Sequence, residues 1–172
     1  MAITRILGAT AISPTIPASA GGTGATSFAP GKVLQVKSFA NSSLNQASTN
    51  SSSFQDVSGL DVVITPSSAS NYMQIWVMYH VDTGGSGHGV KGDLSSIIGS
   101  TQADVGGIGG ISTNITADRQ NTFINNLYYH TPNTTNAVTY RFRFKSATNG
   151  QTVYFNRNAY RIVVNELDGT GA

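Results

Sequence analysis

The 172-residue sequence contains no cysteine. That removes disulfides and thiolate metal sites, and with them any reading of the redox compartment. Charge is scarce as well. Lys, Arg, Asp and Glu make up 10% of the chain, against roughly 25% in an average soluble domain. A net charge of +2 is too weak to point to a nucleic-acid partner. Glu166 is the single glutamate, and the seven aspartates are scattered through turn-like stretches. The paired carboxylates of a glycosidase therefore have no obvious source, and Asp56, Asp61 and Asp82 read as turn and strand-end residues. No apolar run approaches the ~18 residues of a membrane-spanning helix. There are no heptads and no Gly-X-Y period, which excludes a coiled-coil or collagen-like shaft.

What fills the chain instead is 20 Ser, 19 Thr, 14 Asn and 19 Gly. Hydroxyls and amides supply the solubility that ions usually supply. Ser and Asn compete with the backbone for hydrogen bonds, and the composition is poor in helix formers. The expectation is β-structure with many turns.

Residues 1–31 follow neither a helical nor a strand period and carry Pro14, Pro17 and Pro30. Arg5 and the Ala18-Ser19-Ala20 triplet have the outline of a signal peptide. Between them, however, Thr10, Ser13, Pro14, Thr15 and Pro17 interrupt the apolar core that such a peptide requires. A segment of this kind has too few self-contacts to fix its own shape. It reads as an extended arm that takes its conformation from another surface, with folding back onto its own domain as the alternative. Ile3, Arg5, Ile6, Leu7, Ile12, Pro14, Ile16 and Pro17 are the candidate contacts.

The stretch SAGGTGATSFAPGKV, residues 19–33, superficially resembles a phosphate loop. In a Walker A motif, though, a glycine would stand at Thr26 and a hydroxyl at Val33. The Gly22-Thr23-Gly24 run also meets Ser27 where a dinucleotide loop needs glycine. The stretch fits a hinge between arm and head, with Gly21, Gly22, Gly24 and Gly31 permitting the change of direction.

From residue 32 the period becomes that of strands. KVLQVKSFA alternates Leu34 and Val36 against Gln35 and Lys37. GLDVVITP places Leu60, Val62 and Ile64 on one face, and Pro66 ends it. NYMQIWVMYHVD is the longest strand. Met73, Ile75, Val77, Tyr79 and Val81 lie on one side; Tyr72, Gln74, Trp76, Met78 and His80 lie on the other. Neither side is solvent-like, so the strand is expected to be covered on both. Between Val90 and Thr116 the pattern allows a short helical turn or a strand. AVTYRFRFKSA is the clearest strand, with Val138, Tyr140, Phe142 and Phe144 inward and Thr139, Arg141, Arg143 and Lys145 outward. Asn149-Gly150 marks a hairpin turn. About eight short strands with polar loops and no internal repeat indicate an all-β chain. The reading is a jelly-roll β-sandwich head over 32–172, preceded by the arm and Gly-rich hinge of 1–31.

Several constellations hint at chemistry without the required spacing. His80, Asp82 and His88 include metal-ligating residue types, but a loose glycine turn separates the two histidines. Ser86 lacks the flanking pattern of a nucleophile elbow. No cofactor or metal is expected, and the chain does not read as an enzyme. Arg141, Arg143 and Lys145 form a cationic stripe, to which Arg157 and Arg161 are candidate additions. A nucleic-acid-binding sheet would interleave aromatics on that face; here they point the other way. The row of Tyr72, Trp76, Met78 and His80 is rich in residue types favoured at interfaces. It is the candidate contact around a homotrimer axis, with ordinary sandwich core as the alternative.

The segments GKVLQVKSF, SSSFQDVSGLDVVITPSSASNYMQIWV and TYRFRFKSATNGQTVYFNRNAYRIVVNEL resemble the globular domain of small bacteriophage virion proteins of the decoration or fibre type. PASAGGTGATSF resembles linkers near the attachment ends of phage fibres. The resemblance implies a trimeric jelly roll similar to the tumour-necrosis-factor type and a place on the virion. Fibres usually carry a long shaft, which this chain lacks. The expectation is therefore a homotrimeric capsid decoration (cement) protein, held by its arm on the major capsid protein or a tail component. The alternative is a short fibre head that binds a host-surface receptor, with a glycan as a further partner. A secreted lectin or enzyme stands behind both.

Overall fold

The computed structural model describes residues 33–41, 47–57, 59–83, 87–107, 121–148, 150–155 and 160–169. The arm candidates from Ile3 to Pro17, the hinge glycines from Gly21 to Gly31, and Ser86, Asn149 and Arg157 lie outside them. Eleven strands run in chain order: β1 (Val33–Asn41), β2 (Ala47–Thr49), β3 (Gln55–Asp56), β4 (Val62–Ile64), β5 (Tyr72–Asp82), β6 (Val90–Ile98), β7 (Thr101–Gly107), β8 (Asn121–His130), β9 (Val138–Ser146), β10 (Val153–Phe155) and β11 (Tyr160–Leu167). Their pairing is antiparallel throughout.

Three pairs of these are successive pieces of one interrupted strand. β1 and β2 lie along β11 and β10, β3 and β4 both lie along β9, and β10 and β11 both lie along β5. Eleven pieces less three interruptions leave eight strands. One sheet has the order β8, β5, β11/β10, β1/β2; the other has β3/β4, β9, β6, β7. Successive strands alternate between the sheets, with the β6–β7 hairpin as the exception. That is a jelly-roll sandwich.

Alternation along each strand explains why the sheets stack. β9 reads buried at Val138, Tyr140, Phe142, Phe144 and Ser146, and half-buried between them. β5 buries Met73, Ile75, Val77, Tyr79 and Val81, and β11 buries Tyr160, Ile162 and Val164. The inner faces meet through a chain of rings. Tyr79 lies 4.3 Å from Phe142 and 5.5 Å from Phe155, and Phe155 reaches Phe144 at 5.6 Å and Tyr160 at 5.5 Å. Each such pair contributes about 0.5–1.5 kcal/mol beyond the area it buries. Gly92 leaves room for this cluster: a Cβ there would sit 2.5 Å from Phe142 Cζ and 2.8 Å from the Tyr79 hydroxyl.

Two expectations change, and one left open between helical turn and strand is settled. The alternation in β1 is broken by a bulge between Val33 and Gln35. Val36 consequently faces outward and is exposed, while Gln35 reaches an interior carboxylate. DLSSIIG is strand throughout its first six residues, within β6. β5 is covered on one side: its outward residue Trp76 is 38% exposed, so the row of Tyr72, Trp76, Met78 and His80 is not sandwich core.

Candidate functional site

The outward face of the β8–β5–β11–β1 sheet is built by cross-strand register. Trp76 pairs with Leu127 and Val163, and Val163 with Ser38. One row away, Gln74 pairs with Tyr129 and Asn165, and Asn165 with Val36. On the other side, Met78 pairs with Asn125 and Arg161, and Arg161 with Ala40. Directly opposed side chains are within contact range, so these rows form continuous strips. Leu127, Tyr129 and Val36 are 39%, 59% and 56% exposed. Arg161 is the only charge in these three rows.

The row through Gln74 is tied together by amides. Asn165 Nδ2 donates to Gln74 Oε1 at 3.2 Å, and Gln74 Nε2 donates to the Tyr129 hydroxyl at 3.2 Å. The result is a fairly rigid surface with an apolar centre and a polar strip that both donates and accepts. Exposed aromatic and aliphatic groups gathered this way mark interaction surfaces. All four residues expected at a subunit contact share this face. Val36, Leu127, Tyr129 and Val163 join them. The alternation in NNLYYH could have revealed Leu127 and Tyr129, but the face they share with Trp76 follows only from the strand pairing.

The opposite sheet presents another kind of surface. Arg141, Arg143 and Lys145 do point outward from β9, but the arginines are ion-paired. Arg141 Nε donates to Asp61 Oδ1 at 2.9 Å and its Nη1 to Asp56 Oδ2 at 3.1 Å. Hydrogen bonds to Asp61, opposed by burial and reinforced by Asp56, raise the Arg141 pKa and keep it charged. Arg143 Nη2 donates to Asp93 Oδ2 at 2.5 Å and also to Asp104. Arg143 and Lys145 lie 5.0 and 4.5 Å from the centre of the Phe54 ring. With Lys91, the four cations on this face among the described residues are matched in number by four carboxylates, which leaves no net positive charge among them to attract a polyanion. Arg161 does not extend the stripe; it projects from β11 in the other sheet.

Glu166 is fully buried at the end of the sandwich. One oxygen accepts from Asn71 Nδ2 at 2.6 Å, the Ser67 amide at 2.6 Å and the Ser67 hydroxyl at 2.8 Å; the other accepts from Gln35 Nε2 at 2.6 Å. Burial raises its pKa, but these donors, Asn71 foremost, outweigh burial and hold it below the ordinary value. The carboxylate fastens β1, β11 and the loop before β5. Asp82 ends β5 nine residues beyond Met73, the partner of Glu166. That span is about 30 Å, against at most about 9.5 Å between glycosidase carboxyls. Within one chain the two form no catalytic pair. His80 faces outward from β5, whereas His88 Nδ1 lies 3.2 Å from the Thr152 carbonyl. Among the described residues no group of three His, Asp or Glu is arranged to hold a metal ion.

No family model matches the sequence, and no curated protein matches it. Among solved structures, the chain is similar to the VP2 protein of infectious bursal disease virus in its subviral particle. Identity is 13%, the TM-score is 0.50, and the match covers 80% of this chain and 33% of that one. A mutant VP2 of the same virus in derived T=1 particles matches at 9% identity and TM-score 0.46, covering 77% of this chain and 36% of that one. A structure of the Gx strain of that virus matches at 12% identity and TM-score 0.42, covering 80% and 37%. This chain thus spans about a third of the VP2 chains. At 13% identity the first likeness establishes a shared jelly-roll fold.

Proposed function

We propose that the chain is a virion structural protein, a homotrimeric capsid decoration protein of a bacteriophage. In this reading the arm, residues 1–31, lies on a coat subunit and the jelly-roll head projects from it. Heads associate through the Trp76 face, and the arms add many extended contacts whose avidity holds the trimer on the particle. The observation that carries the reading is the exposed apolar face of the β8–β5–β11–β1 sheet, beside an opposite face whose arginines are ion-paired. A jelly roll shared with a viral capsid protein supports it, as does the sequence resemblance to small phage virion proteins.

The test is co-sedimentation of the purified chain with virus particles stripped of it, followed by a quantitative gel. Hundreds of copies should bind per particle. A chain lacking residues 1–28 should keep its folded head and lose binding. A few copies per particle, with heads that stain host cells, would instead identify a receptor-binding fibre head.

A further inference from the structure

Among the described residues, the strand β8 is an edge of its sheet, held laterally by β5. It carries Leu127 and Tyr129 on the apolar face. Its last residue, His130, turns inward. His130 Nδ1 lies 2.8 Å from the Tyr140 hydroxyl, and the two rings meet edge to face with centroids 5.7 Å apart. Tyr140 belongs to β9 in the other sheet and is fully buried. This contact therefore bridges the two sheets.

We propose that His130 is an acid-sensitive latch for β8: protonation of its ring frees the His130 end of the strand from Tyr140. When the ring is neutral with its proton on Nε2, Nδ1 accepts the Tyr140 hydroxyl proton. A proton on Nδ1 turns the pair round, making the imidazolium the donor and leaving the hydroxyl proton to find another acceptor. The positive charge would also arrive without an ion-pair partner among the described residues. On the inward rows packed against this site, the titratable groups among the described residues are Tyr140 on β9, Tyr79 on β5, Tyr128 on β8 and Glu166 on β11, which shares the His130 row through Met73. The inward residues of β4 and β6 are Val62, Ile64, Leu94, Ser96 and Ile98. The one carboxylate, Glu166, stands two strands away on that row and is already engaged by Asn71, Ser67 and Gln35.

Burial lowers the His130 pKa from its ordinary value of 6.5. Above that value the closed and open forms are both neutral, and pH has no effect through this group. As pH falls below it, the open form binds a proton that the closed form resists, so opening becomes favoured. By pH 5 the gain is as much as about thirtyfold in the opening equilibrium, taking an open-state value of about 6.5. The consequence goes beyond capsid binding: mild acid would disorder one border of the apolar face before it unfolds the head.

Hydrogen exchange of the β8 amides at pH 7.5 and pH 5, corrected for intrinsic rates, tests this. In the unmodified chain, protection in β8 should fall relative to β9, by up to about thirtyfold. In His130→Gln, which keeps a polar partner for Tyr140 but does not titrate, the two strands should respond alike. An equal selective loss in β8 of both proteins would overturn the proposal. A direct NMR titration of the imidazole provides a second reading independent of any variant. A midpoint at or above about 6.5 would also overturn it, and a midpoint below that would support it.

Discussion

Asn71 and Glu166 are 95 residues apart in sequence and joined by a buried 2.6 Å hydrogen bond from the amide to the carboxylate. Asn71 Oδ1 in turn accepts from the Gly169 amide at 3.2 Å. This knot closes one end of the sandwich. Glu166→Gln should cost about 2–3 kcal/mol in urea unfolding, because an amide there meets donors with a donor. The pH dependence has a definite sign. The folded-state pKa is lowered from its ordinary value of 4.5, so the carboxylate's contribution is complete above that value. It is lost as pH falls below it, when the unfolded chain binds a proton that the folded chain does not. The Gln variant should show a shallower stability loss in that acid window; parallel curves would remove Glu166 as the cause.

The two arginines of β9 should differ in what their loss costs. Arg143 covers Asp93, whose side chain is 1% exposed and whose pKa is raised chiefly by burial. Arg143→Ala strands that carboxylate and should cost about 3 kcal/mol or more. Arg141 pairs with Asp56 and Asp61, whose side chains are 36% and 24% exposed. Arg141→Ala lets both reach water and should cost about 1 kcal/mol. Matched denaturation midpoints for the two variants would contradict this ranking.

Gly92 predicts an intolerant position in the core. Gly92→Ala pushes a methyl group against Phe142 and Tyr79, and overpacking of this kind costs about 1–3 kcal/mol. Thermal melting should register the loss. A compensating Tyr79→Phe change removes the hydroxyl nearest the new methyl and should recover part of it. An alanine variant as stable as the parent would show that the ring cluster yields more easily than its packing implies.

Much of the fold was legible in the sequence because period-two patterning is local. Val138 to Ser146 alternates without a break, and the structure places those residues accordingly. β1 was misread because a bulge reverses parity within one residue, and nothing in VLQVK marks it. The ion pairs of Arg141 and Arg143 were also hidden. Their partners, Asp56, Asp61, Asp93 and Asp104, look like turn residues until β3, β4, β6 and β7 are assembled into one sheet with β9. The apolar face lay between these cases. Tyr72, Trp76, Met78 and His80 could be grouped from the strand period alone. Both sides of β5 are apolar, however, so only the second sheet decides which side is interior.

Sedimentation equilibrium of the full chain and of Trp76→Glu bears most directly on association through the Trp76 face. The parent should sediment as three 18.0 kDa chains, about 54 kDa, at micromolar concentration, and the variant as a single folded chain of unchanged circular dichroism. A parent that sediments as a monomer, or a variant that remains trimeric, would contradict the assignment of this face to the subunit contact.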